Sequence, residues 1–120
     1  MNIDELSGRL DDPTLTVIDV RTEGEYGGTR GNACDPRQGH IPGARNLDIT
    51  ELMRCETVEQ VLELVGLPRG SEIAAYCHSG SRSALAVQIL TAAGYDASNY
   101  AGSWHEWSRS AELPVETGRV

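Results

Sequence analysis

Apolar residues at Ile3, Leu6 and Leu10 follow a three-and-four spacing that predicts a short helix over 3–10, closed by the turn-forming "DDP" at 11–13. The period then changes. In "LTVIDV" (15–20) Val17, Ile18 and Val20 form a short β-branched run, the pattern of a strand buried on both faces of a parallel sheet. From Gly27 to Gly39 no period survives, and the glycine- and charge-rich "GGTRGNACDPRQG" predicts a long loop of the functional or mobile kind. "RNLDI" (45–49) reads as a second strand. "TVEQVLELVG" (57–66) places Val58, Val61, Leu62 and Val65 on one helical face, with Gly66 as its stop. "EIAAYC" (72–77) is a third buried strand. The helix that follows carries Leu85, Ala86, Ile89, Leu90 and Ala93 at helical spacing and closes at Gly94. A strand near "ASNYA" (97–101) and a helix around "SWHEWSR" (103–109) complete the chain. Strands alternate with helices, so the expected fold is an α/β domain with a mostly parallel sheet covered on both sides.

With 120 residues, 39% of them hydrophobic, the chain has material for one ordinary core, a single domain over 1–120. No apolar run reaches membrane-spanning length, and "MNIDELSGRL" is acidic where a secretory leader is basic and then apolar. A soluble cytoplasmic protein with no membrane partner is expected. The net charge of −8, with ten scattered arginines as its cations, argues against a nucleic-acid partner. Three cysteines, Cys34, Cys55 and Cys77, include no C-x-x-C pair, which disfavours both a disulfide framework and a zinc site of usual spacing.

The chemistry concentrates in "YCHSGSRS", residues 76–83. Cys77 closes a strand just before a helix, and ligand crevices of parallel α/β sheets lie beyond the carboxyl ends of the strands. Between Cys77 and the helix stand His78, Ser79, Gly80 and Ser81, small and polar enough for their N–H groups to curl around one atom. The helix adds its positive N-terminal end. A thiol there has its pKa depressed below the usual 8.5 or so. Arg82 supplies a fork-shaped cation for an oxyanion, and Ser83 completes the loop. A purely structural Cys77 would leave this polar run, and an arginine at a helix start, without explanation. Cys34 and Cys55 read as incidental. His78 has no second ligand nearby in sequence and reads as a loop residue tuning the thiol rather than a metal ligand. His105 reads as a surface residue. "GSRS" lacks the lysine of a P-loop, and "CHSGS" lacks the leading glycine of a nucleophile elbow.

"IDVR" at 18–21, "GHIPGARN" at 39–46, "YCHSGSRS" at 76–83 and "YAGSWHEW" at 100–107, in this order and spacing, resemble a rhodanese domain, the sulfurtransferase module. "EYGGT" and the long loop are similar to the catalytic, C-terminal half of tandem thiosulfate and mercaptopyruvate sulfurtransferases. The resemblance implies a five-stranded parallel sheet with helices on both faces. It places the nucleophile at Cys77 with Arg82 beside it, substrate contacts at His78, Ser79, Gly80, Ser81 and Ser83, and supporting roles at Asp19 and Arg21. His40 and Trp104 fall in family motifs as packing residues. Glu25 stands where some tandem enzymes carry a second arginine, which leaves Arg82 with more of the anion binding. Without the second half, the pocket is more open or is closed by a second subunit in a homodimer.

The implied reaction is sulfur transfer through a persulfide on Cys77, from thiosulfate or a similar donor to a thiophilic acceptor such as cyanide or a cellular thiol, with no cofactor and no metal. A persulfide carrier or sulfur-trafficking binding module is the non-enzymatic alternative. A phosphatase or arsenate-reductase relative is disfavoured, because four residues separate Cys77 from Arg82 where those relatives have five and so cradle a tetrahedral phosphate. The expected outcome is aryl-phosphatase and arsenate-reductase turnover below sulfur transfer under matched conditions, and the reverse order would overturn the loop-length argument.

Overall fold

The structure, a computed structural model, describes residues 1–118. Helix α1 (Ile3–Ser7) begins under a capping box, in which Asn2 Oδ1 accepts from the Glu5 amide and Glu5 Oε1 accepts from the Asn2 amide. It ends at Gly8, short of the expected Leu10. Strand β1 (Leu15–Asp19) leads to α2 (Glu23–Gly27), whose capping box pairs Thr22 with Glu25 and whose C-terminus is closed by Gly28 in the left-handed region. Strand β2 (Arg45–Asn46) is followed by α3 (Ile49–Met53) and α4 (Val58–Val65), the latter stopped by Gly66 at φ 73°. Then come β3 (Glu72–Tyr76), α5 (Ser81–Ala92), β4 (Asp96–Asn99) and α6 (Ser103–Trp107).

Among the described residues the sheet has four strands, all parallel, in the order β2-β1-β3-β4. This corrects the five strands implied by the resemblance. The chain's first apolar segment is committed to α1 by its capping box. The extended stretch near Glu116 meets His40 in a single antiparallel bridge away from the sheet. The strand expected over 45–49 is likewise only two residues long. Asp48 accepts from the Thr50 amide at 3.0 Å and caps α3, which takes Ile49 into a helix instead.

Successive side chains of each strand point to opposite faces, and both faces are covered. Ile18 and Val20 of the β1 segment and Ile73, Ala75 and Cys77 of the β3 segment pack with Leu52, Val61, Val65, Ala86 and Leu90 from α3, α4 and α5. On the other face Leu15, Val17, Ala74 and Tyr76 pack with Leu6 of α1, Tyr26 of α2, and Trp104 and Trp107 of α6. Burial on both faces explains why the strands read as continuous apolar runs. Because the register pairs Asp19 with Tyr76, and Ala75 with Asn99, the residues after β1, β3 and β4 emerge together at one end of the sheet.

A buried ion pair organises that end. Arg21 is 1% exposed and Asp19 fully buried; Arg21 Nη2 reaches Asp19 Oδ2 at 2.7 Å, and Arg21 Nε donates to Asp19 Oδ1 at 3.0 Å. Arg21 Nη2 also donates to the Gly39 carbonyl at 2.6 Å, and the guanidinium lies 5.0 Å from the Trp104 ring centre and 5.7 Å from that of Tyr76. Burial lowers the Arg21 pKa, but Asp19 more than offsets this, and the net direction is up. Removing one partner of such a pair leaves an uncompensated buried charge. Asp19→Ala is therefore expected to lower unfolding stability by about 3–5 kcal/mol, read from urea titrations near neutral pH. A loss below about 1 kcal/mol, the range of exposed pairs, would show that the pair is dispensable.

Candidate functional site

Tyr76 ends β3 and Ser81 begins α5, and the connection between them carries Cys77. Helix α5 has no side-chain cap, because its N-cap residue is Gly80. The sulfur takes that place: Cys77 Sγ accepts from the Gly80 amide at 3.1 Å and from Ser83 Oγ at 3.3 Å. The reason Gly80 must be glycine is local. Its φ is 98°, and a Cβ there would lie 2.8 Å from the Ala101 carbonyl oxygen. Burial pushes the Cys77 thiol up, but hydrogen bonds from the Ser83 hydroxyl and from the Ser83, Gly80 and Ser79 amides outweigh it, so its pKa lies below the ordinary value.

The loop is strapped from behind by the segment after β4. Ser103 Oγ accepts from the Cys77 amide at 3.1 Å, while the Trp104 and His105 amides donate to the Cys77 and His78 carbonyls, each at 2.9 Å. Asn99 Nδ2 donates to the Gly80 carbonyl at 3.2 Å. To make its contact Ser103 adopts φ 55°, a left-handed conformation rare outside glycine. Neither Ser103 nor Asn99 stands out by periodicity, and sequence reading did not find them.

The expected site residues do not all surround the sulfur. Cys77, Gly80 and Ser83 are buried around the sulfur, while Ser79 and Ser81 are exposed at its mouth. Arg82 is half-buried and makes a two-pronged pair with Glu25, Nη1 to Oε1 at 2.9 Å and Nη2 to Oε2 at 3.2 Å. Glu25 thus does more than leave a second cation out. It engages two of the five N–H donors of the one arginine in the loop. Burial raises the Glu25 pKa, but the Arg82 hydrogen bonds carry it down to about 2. The Arg82 pKa is raised, first by Glu25 and to a smaller extent by the field of Cys77. Asp19 and Arg21 make no hydrogen bond to the Cys77 loop. Arg21 faces the ring of Trp104, whose backbone N–H donates to the Cys77 carbonyl.

His78 turns toward the long loop. Its Nε2 lies 2.9 Å from Asp35 Oδ2 and 3.2 Å from Oδ1, and Arg109 Nη1 reaches Asp35 Oδ1 at 2.8 Å. Asp35 and Arg109 were not legible in sequence. The loop over 27–39 is fastened further by Arg37, which donates to the carbonyls of Trp107, Ser108, Ser110 and Leu113. His40 is buried, with Nδ1 2.7 Å from the Tyr26 carbonyl and its ring stacked on Tyr26. Cys34 is exposed and Cys55 partly so. A cleft of about 590 Å³ bordered by Leu10, Pro42 and Val115 and one of about 420 Å³ bordered by Tyr26, His40 and Asn46 do not include Cys77 among their lining residues. The Cys77 loop closes around the thiol sulfur, with the Gly80 amide and the Ser83 hydroxyl both donating to it.

Residues 2–110 match the family model of the Rhodanese-like domain. The chain is 36% identical over 121 residues to a thiosulfate sulfurtransferase of Azotobacter vinelandii, covering 94% of this chain and 44% of that protein. A crystal structure of a probable thiosulfate sulfurtransferase superposes with TM-score 0.83 at 40% identity, over 97% of this chain and 46% of the other. A persulfide form of EanB with ergothioneine superposes with TM-score 0.87 at 27% identity, over the whole of this chain and 32% of the other. The chain therefore spans less than half the length of these relatives. With its four motifs gathered at one end of a parallel sheet and the family match running from residue 2 to 110, the chain belongs to the rhodanese-like domain family.

Proposed function

We propose that this domain transfers sulfane sulfur through a persulfide on Cys77, with thiosulfate as a donor. The observation that carries the reading is the sulfur's place as the cap of α5, accepting from an amide and a hydroxyl that favour its anionic form. The Cys77 thiolate attacks the outer sulfur of thiosulfate. A new S–S bond forms, the old one breaks, and its electron pair leaves with sulfite. A thiophilic acceptor, cyanide or a thiolate, then takes the terminal sulfur and regenerates the Cys77 thiolate. In the persulfide the negative charge moves one atom outward, toward the exposed mouth formed by Ser79 and Ser81, where loop N–H groups meet it. The family resemblance supports the reading, and the relatives named for thiosulfate and for a persulfide supply its chemistry.

Arg82 is the proposed contact for the donor's sulfonate, with Glu25 as its brake. The donor dianion either displaces the Glu25 carboxylate or meets the N–H donors that Glu25 leaves over. An uncoupled carrier that loads sulfur but passes it only to a docked partner is the second reading. It is favoured by the chain's likeness, 30% identical over 117 residues, to a protein of Thermus thermophilus named as the sulfur carrier protein TtuD, and steady-state turnover with thiosulfate and cyanide separates it from the first.

After incubation with thiosulfate, intact mass spectrometry is expected to show a gain of one sulfur that Cys77→Ser abolishes and that Cys34→Ser and Cys55→Ser retain. A gain that survives Cys77→Ser would refute the assignment. Glu25→Gln keeps a capping acceptor for α2 while removing the charge, so about tenfold tighter use of thiosulfate is expected, from one freed charge-assisted contact of about 1.5 kcal/mol. The same change removes a negative charge near the thiolate, so the Cys77 pKa falls further and the midpoint of iodoacetamide alkylation moves to lower pH. Arg82→Ala has the opposite sign: the midpoint rises, and thiosulfate use weakens by roughly tenfold to a hundredfold. Unchanged kinetics and alkylation profiles in both variants would mean that the pair does not face the donor.

A further inference from the structure

Beside the Cys77 loop, three segments distant in sequence bring Asp35, His78 and His105 together, from the long loop, the β3–α5 connection and α6. One nitrogen of each histidine and one oxygen of the carboxylate all lie within 4.8 Å of one another. The His78 and His105 rings meet edge to face with centres 5.5 Å apart. The Asp35 side chain is only 1% exposed, and its two oxygens differ. Oδ1 accepts from Arg109 at 2.8 Å, whereas Oδ2 accepts no well-aligned hydrogen bond although His78 Nε2 is 2.9 Å away. A buried carboxylate oxygen without an aligned donor, facing two imidazoles, is an arrangement that a cation completes.

We propose that Asp35, His78 and His105 form a binding site for a divalent cation of borderline softness, of the Zn2+ class. Two imidazoles and one carboxylate are a zinc-type donor set, and hard cations such as Mg2+ or Ca2+ are disfavoured by the nitrogen ligands. In a tetrahedral site with bonds of about 2.0–2.2 Å, donor atoms stand about 3.3–3.6 Å apart. His78 and Asp35 are already closer than that. His105 is exposed and free to change rotamer, so an adjustment of its side chain closes the set. Arg109, bound to Oδ1, then orients the carboxylate so that Oδ2 faces the metal, as partners behind metal ligands do. The exposure of His105 leaves the fourth position to solvent. An occupied site ties the long loop to α6 and to the residue next to Cys77, none of which depends on the sulfur-transfer reading.

Co2+, a spectroscopic stand-in for Zn2+, is titrated into the full chain and followed in the visible and near ultraviolet. The expected result is one equivalent bound, with d–d bands but no thiolate charge-transfer band, the latter being the mark of cysteine ligation. Zn2+ displaces it, and His105→Ala weakens it about tenfold or more while the circular dichroism spectrum and metal-free melting midpoint stay unchanged. Asp35→Asn, which keeps the side chain's shape, is expected to act in the same direction. The absence of d–d bands, a thiolate band that disappears with Cys34→Ser or Cys77→Ser, or binding that survives His105→Ala unchanged would each overturn the site.

Discussion

The positive charge of Arg21, enclosed by protein on all sides, is the constraint around which the functional end of the domain is arranged. A guanidinium out of water requires an anion and acceptors for its N–H groups, and each of its neighbours belongs to a different part of the chain. Asp19 supplies the charge from the end of β1, Gly39 the carbonyl at the close of the long loop, and Tyr76 and Trp104 the aromatic surfaces. Tyr76 immediately precedes Cys77. Trp104 holds the Cys77 carbonyl through its amide and sends its indole N–H to the Arg37 carbonyl at 3.0 Å. The pair thus lies one shell of protein away from the thiol.

The electrostatics of the loop follow from cancellation more than accumulation. In a chain of net charge −8, a thiolate is opposed by the overall field. The opposing terms are local and short-range: amides at the start of a twelve-residue helix, the Ser83 hydroxyl, and a guanidinium partly neutralised by Glu25. Amide dipoles cannot be titrated away or screened as readily as surface charge when they are buried around the sulfur. The sulfur is the cap that α5 otherwise lacks, so the same bonds that stabilise the thiolate also stabilise the first turn of the helix.

What could be read in the sequence was whatever produces a periodic or contiguous signal. The buried strands at 15–19 and 72–76, the helices closed by Gly66 and Gly94, and the polar knot after Cys77 all repeat or cluster within a few residues. The short helices α2 and α3 were not legible, because EGEYG carries a single large apolar residue and so no period, while α3 opens inside the run that reads as a strand; their beginnings rest on side-chain caps from Thr22 and Asp48. The same limit applies to the site's periphery. Ser103 meets Cys77 across 26 residues, Asp35 meets His78 across 43 and Arg109 meets Asp35 across 74, and no local pattern announces them. The fifth strand came from family resemblance alone and has no counterpart among the described residues.

A sheet of four strands also has two edges to manage. One is the two-residue β2 and the other is β4, Asp96–Asn99, whose residues Asp, Ala, Ser and Asn include no branched apolar side chain. Edges this short and polar give a neighbouring molecule little backbone to zip onto. The buried, valine- and isoleucine-bearing strand β1 and the alanine-rich β3 lie between them, out of reach. The self-association of the domain is therefore resisted by its outermost, short and polar strands, which flank the two central strands that carry the functional loop.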